Sequence, residues 1–252
     1  MKRFFAAISF LTRLPAPQKF VFEAADVGRA TIFFPLVGAL VGLFQTGALF
    51  IFGNAANDGV LKAVLMAVLL VIINVFVTGA LHLDGLADMA DGFGGGREKE
   101  RTLEIMRDSL IGSYGATALI LLLILKVCAV AALIENQTAW QFLILAPVLG
   151  RWATVPLGKF MPYARKSGGL GNAVTDYVGW TELVGATIIT AILLFALADW
   201  QTAAKIWLVV AALTIFNARL CLKKIGGVTG DTLGANTEIC ETAVLLAAVF
   251  LK

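Results

Sequence analysis

The chain is poor in the groups a soluble domain uses to face water. Only 15% of its 252 residues are charged, against about 25% in ordinary globular chains. Its three cysteines, Cys128, Cys221 and Cys240, are odd in number and far apart. They offer neither a zinc spacing nor a disulfide framework and read as packing residues in a reducing or lipid-buried setting. No G-K-[ST] triplet occurs, which excludes a Walker A loop. The net charge of +3 gives no reason to invoke nucleic acid. A secretory leader is also missing its signature. The basic start MKRFFAAISFLTRLPAP has a short apolar core, but Thr12-Arg13 stands where small residues should allow cleavage.

What is present is apolar length. Residues of hydrophobic type make up 59% of the chain, gathered into long runs between short charged patches. About 20 apolar residues in a row let an α-helix cross a bilayer. The fold class is therefore all-α, a polytopic membrane helical bundle, and the whole of 1–252 reads as one integral-membrane catalytic domain. Six or seven transmembrane helices are expected, near 31–53, 60–81, 113–134, 139–158, 182–199, 204–221 and 239–251. The last is short; it starts earlier, near Thr232, or does not cross. The start, MKRFFAAISFLTRLPAP, is expected as an interfacial helix with Phe4, Phe5, Ile8 and Leu11 toward lipid, ended by Pro15 and Pro17.

Sixteen of the twenty Lys and Arg fall in four segments, 1–30, 82–112, 151–181 and 219–238. With the spans above these lie on one side, and the short connections 54–59, 135–138 and 200–203 carry none. The positive-inside rule then puts the N-terminus and the charged loops in the cytoplasm. Gly38 and Gly42 form a GxxxG in the first span, a close-packing signal that is also compatible with a homo-oligomer.

At the end of the second run stands LHLDGLADMADGFGGG, residues 81–96. Asp84, Asp88 and Asp91 are spaced i, i+4, i+7 and share one face of a helix continuing out of the span. Three carboxylates there repel one another, and the C-terminal end of a helix favours cations. A divalent cation such as Mg²⁺ would offset that cost, since it prefers hard oxygens. A solvated surface face is the plainer alternative. His82, the only histidine, is an acid, a base or an orienting donor, or an interfacial aromatic.

Three more polar patches lie on the same side. ERTLEIMRDSLIGSYGA carries Arg107 and Asp108. PYARKSGGLGN carries Arg165 and Lys166, and Arg suits bidentate phosphate contact. KKIGGVTGDTLGANTE carries Lys224, Gly227, Thr229, Gly230 and Asp231; a Gly/Thr-rich loop opening a helix can present N–H groups to phosphate. Carboxylates for a metal beside cations and glycines for phosphate are the equipment of phosphoryl transfer.

Taken in order, HLDGLADMADG, EIMRDSLIGSYGA, YAR..GGLGN and GGVTGDTLGANTE resemble the cobalamin synthase family, the adenosylcobinamide-GDP ribazoletransferases, over nearly the whole chain. The resemblance implies a Mg²⁺-dependent enzyme of the bacterial inner membrane. Its partners are the lipid bilayer and two small molecules, a corrinoid and a nucleoside. It joins adenosylcobinamide-GDP to α-ribazole or its 5′-phosphate and releases GMP. Asp84, Asp88 and Asp91 would hold the metal on the diphosphate. Asp91, Asp108 and His82 are candidates for the base that takes the hydroxyl proton. Arg107, Arg165 and Lys224 would neutralise the diphosphate. Asp231 would bind metal or cap the helix after it. A prenyl-diphosphate transferase should repeat its aspartate motif, and no second HLDGLADMADG occurs. A transporter should line a pathway with mid-span ionisable groups; Lys126 and Asn74 are too few.

Overall fold

The computed structural model describes residues 1–17, 19–52, 59–165 and 171–251. Lys166 and residues 53–58 lie outside them. The described residues fold into twelve α-helices with no strand; Tyr163 and Val228 form an isolated bridge. The fold is the expected helical bundle. Six helical segments are long and apolar enough to cross a membrane. They are Ala24–Phe52, which contains α2 (Ala24–Arg29) and α3 (Phe34–Phe52), then α4 (Val60–Thr78), α7 (Ser113–Glu135), α10 (Trp180–Leu197), α11 (Trp200–Ile225) and α12 (Gly230–Phe250).

The seventh expected span, 139–158, is helix α8 (Ala139–Phe160), and it differs in kind. Seventeen of its 22 residues are buried, so protein rather than lipid surrounds it. A helix sheltered on all sides tolerates Arg151, Pro147 and Pro156 because its neighbours compensate. Helix α3 packs on α8 through the GxxxG. A Cβ on Gly38 would collide with the Pro147 carbonyl, and one on Gly42 with Leu143 O and with Ile144 Cα, the latter at 2.5 Å. The motif is thus used inside the chain, and it lends no support to a homo-oligomer.

The last span starts earlier, as one of its alternatives had it: α12 runs 21 residues from Gly230, with Thr229 as N-cap. Two expectations are corrected. Helix α1 (Lys2–Leu11) does not turn Phe4, Phe5, Ile8 and Leu11 to lipid. Ile8 and Leu11 are buried, Phe4 meets Phe33 edge-on at 5.8 Å, and Phe5 stacks on Phe20 at 5.6 Å. Lipid and protein are equally apolar, so the pattern that marks an amphipathic helix cannot say which of them it faces. Finally, the acidic helix does not continue α4. Gly79 (φ 65°) and Ala80 (φ 60°) are both left-handed and break the chain after Thr78. A new helix, α5 (Leu81–Gly95), begins in another direction. The short α6 (Lys99–Ile105) and α9 (Asn172–Tyr177) complete the set.

Candidate active site

The break at 79–80 changes the electrostatics of the aspartates. Asp84 lies in the first turn of α5, where the helix dipole favours an anion, not at the C-terminal end of a span. The expected helical face is kept, but the three carboxylates have different surroundings. Asp84 is exposed, Asp88 half-buried and Asp91 buried.

Asp91 is held by protein. Its Oδ2 accepts from Gly112 N at 2.7 Å and its Oδ1 from Gly115 N at 2.8 Å. These amides open α7 and have no partner within that helix. Both glycines are required by the approach: a Cβ on Gly112 would lie 2.5 Å from Asp91 Oδ1, and one on Gly115 would meet Oδ2. Asp91 therefore caps α7 from outside.

Asp84 and Asp88 face a different carboxylate. Helices α5 and α12 approach so closely that a Cβ on Gly85 would lie 2.6 Å from Asp231 O. Asp231 sits in the first turn of α12. The capping role considered for it belongs to Thr229, whose Oγ1 accepts from Thr232 N at 3.3 Å while Thr232 Oγ1 accepts from Thr229 N at 2.8 Å. Arg165 Nη2 donates to Asp231 Oδ2 at 2.7 Å and to Met106 O at 3.3 Å. The Asp88 carboxyl is pushed up to about 7, first by burial, then by the charges of Asp231 and Asp84, with Arg165 opposing. A half-buried carboxyl surrounded by like charges is what a cation would relieve.

The remaining candidates divide. Arg107 and Arg165 line an open cleft of about 580 Å³ with Lys99, Glu100 and Ala164. Asp91 and Asp108 line a second, of about 350 Å³, with Tyr114. Asp108 is exposed in the turn after α6 and accepts from Leu110 N at 3.0 Å. Lys224 is not directed at a phosphate position. It donates to Phe93 O at 2.9 Å and Gly96 O at 3.4 Å, stabilising the C-terminal end of α5. Gly227 allows the chain to press on the Pro162 carbonyl, beside the Val228 N to Pro162 O bond of 2.9 Å. Gly230 is the first residue of α12 and packs against Gly171.

His82 is not brought to the aspartates. Two residues from Asp84, it points about 200° round the helix. It is buried, and its Nδ1 lies 3.4 Å from Arg151 Nη2. Burial, then the positive charges of Arg151 and Lys126, hold its pKa well below the usual histidine value, so the ring is neutral. Arg151, counted above with the loop charges, is 1% exposed inside α8 and pairs with Glu241.

Tyr163 is a site residue the sequence reading passed over. Its hydroxyl is half-buried and its pKa is raised, by burial first; the neighbouring Arg165 opposes the shift and Asp231 adds to it. The signal was present in the stretch YAR, but nothing local tied the ring to a loop 68 positions later.

A metal is consistent with this donor set, though not as the three aspartates first expected. Among the described residues no group of three His, Cys, Asp or Glu is drawn together as a closed cage. Mg²⁺ does not need one: it keeps several waters and uses one or two carboxylates plus substrate phosphates.

A family of proteins described as cobalamin-5-phosphate synthase matches residues 3–249. The adenosylcobinamide-GDP ribazoletransferase of Chlorobaculum tepidum is 40% identical over 249 residues, covering 98% of this chain and 94% of its own. That of Pseudomonas syringae pv. syringae is 39% identical over the full length of both, and that of Rhizobium meliloti 40% identical over 95% of this chain and 92% of its own. No solved structure matches the chain significantly. With the match running from the first helix to the last, the chain belongs to the cobalamin-5-phosphate synthase family.

Proposed function

We propose that the chain is a Mg²⁺-dependent adenosylcobinamide-GDP ribazoletransferase. It joins adenosylcobinamide-GDP to α-ribazole, or to its 5′-phosphate, and releases GMP. The observation that carries the reading is the meeting of Asp84 and Asp88 on α5 with Asp231 and Arg165 beside α12, in a chain of this family.

The reaction exchanges the phosphoanhydride bond of the diphosphate for a phosphodiester. A ribose hydroxyl of the ribazole attacks the phosphorus that stays with the corrinoid, the bond to the GMP oxygen breaks, and the hydroxyl proton goes to a base. Bound to the diphosphate, Mg²⁺ supplies charge neutralisation on its oxygens. One or two of Asp84, Asp88 and Asp231 would hold it together with waters and the substrate phosphates, and Asp91 keeps the end of α7 in place beside them. Arg165 faces both Asp231 and the larger cleft, where with Arg107 it can meet the phosphates. Of the three candidate bases, His82 is turned away and both Asp91 oxygens accept amides. That leaves Asp108, exposed on the smaller cleft, as the candidate base.

The site helices and the charged loops would face the cytoplasm of a bacterial inner membrane, where nucleotide-linked substrates are found. The decisive experiment uses the protein in nanodiscs with adenosylcobinamide-GDP, α-ribazole 5′-phosphate and Mg²⁺. GMP release matched by cobalamin phosphate, and lost with chelator, is expected. No GMP and no corrinoid product would overturn the reading.

A further inference from the structure

Inside the bundle lies a second set of charges that the chemistry above does not use. Lys126 of α7 donates to Glu238 Oε2 at 2.5 Å and to Glu241 Oε2 at 3.0 Å. Arg151 of α8 pairs with the other oxygen of Glu241 and reaches His82 Nδ1 of α5 at 3.4 Å. All five residues are 5% exposed or less. Two cations, two anions and a neutral ring leave the group balanced. Buried ion pairs do little for net stability, because desolvation offsets the attraction; their best-attested use is to fix a register.

Both helices of the candidate site are gripped here. Asp231, Gly234, Glu238 and Glu241 recur every three or four residues and share one face of α12. Gly85 meets Asp231, and three residues back along α5 a Cβ on Gly234 would lie 3.3 Å from His82 Cα. The helices therefore run antiparallel, in contact through glycine. Glycine contacts are smooth and resist sliding poorly. The polar link across them runs from His82 through Arg151 to Glu241, about half a turn from Asp84 on α5 and about three turns from Asp231 on α12.

We propose that Arg151 is a positioning residue: by bridging His82 and Glu241 it sets the register in which Asp84 and Asp88 face Asp231. The inference rests on the metal-site reading only for its effect on turnover, not for the register itself. Three variants test it. Arg151→Met with Glu241→Gln removes the bridge and keeps the charge balance. His82→Leu removes one end and changes no charge, so it decides the matter if the double variant fails to accumulate. His82→Gln keeps a hydrogen-bonding group.

Register is read by cross-linking Asp88→Cys to Asp231→Cys with a short bifunctional thiol reagent, in a Cys128→Ala background that removes the exposed native thiol. Turnover against Mg²⁺ is measured separately, without the cysteine pair. In folded His82→Leu, cross-linking should fall severalfold and half-saturating Mg²⁺ should rise about tenfold, the scale of lost support behind a metal ligand. His82→Gln should recover much of both. Cross-linking as in the parent would overturn the proposal. Reduced cross-linking with unchanged Mg²⁺ dependence would keep the register role and count against the metal reading instead.

Discussion

Asp84, Asp88 and Asp91 differ in what already holds each carboxylate, and substitution should separate them. Asp84→Ala and Asp88→Ala remove charges that repel their neighbours and put the best helix former in their place. Normal membrane accumulation is expected, with turnover down by about two orders of magnitude or more. Asp91→Ala instead strips both amide bonds from α7, each worth about 1.5–3 kcal/mol as a bond to a charged group. It should lower the melting temperature in detergent as well as activity. If all three variants melt alike, the capping role is wrong. Asp88 also predicts a pH dependence. Its folded pKa of about 7 lies above the ordinary carboxyl value, so folding favours its protonated form. Metal-free protein should lose stability as pH rises from the ordinary carboxyl range to about 7, then level off, and Asp88→Asn should flatten that slope. A bound cation favours the ionised form, so raising Mg²⁺ should move the acid limb of the activity profile to lower pH. The shared face of the three aspartates was legible from their spacing alone. Asp231 entered only as one of several alternatives, because the approach of Gly85 to it joins residues more than 140 positions apart.

Among the elements, α3 and α8 show why a motif can be read and its partner missed. GxxxG announces close packing, yet nothing in it names the helix that will fill the groove. Gly42→Leu should therefore destabilise the monomer, by about 1–3 kcal/mol or more for an overpacked contact, and leave the oligomeric state unchanged. A change in subunit number on size-exclusion with light scattering, without loss of stability, would point to an interface between copies instead. Hydropathy located the outer spans well because lipid demands apolar side chains on every exposed face. It placed the start of α12 poorly: this helix is 72% buried over its apolar window, so Asp231, Glu238 and Glu241 are tolerated by partners rather than excluded by lipid. The same reasoning explains why Arg151, although inside the expected span 139–158, was counted with the loop charges.

For the molecule as a whole, the proposed sidedness puts α5, α6 and the Tyr163–Arg165 turn in the cytoplasm, which labelling can test. Lys99→Cys should resist an impermeant thiol reagent in intact spheroplasts and react once the membrane is opened; labelling from outside would invert the topology. The buried charges also bear on how the chain is made. Helix α8 carries Arg151 at its middle, and α7 carries Lys126, but both their counter-ions are on α12, which is synthesised after them. Until it arrives, two cations wait inside the bilayer without their acids. The core therefore closes late in assembly, and a chain stopped before α12 would expose those uncancelled charges to the membrane's quality-control proteases.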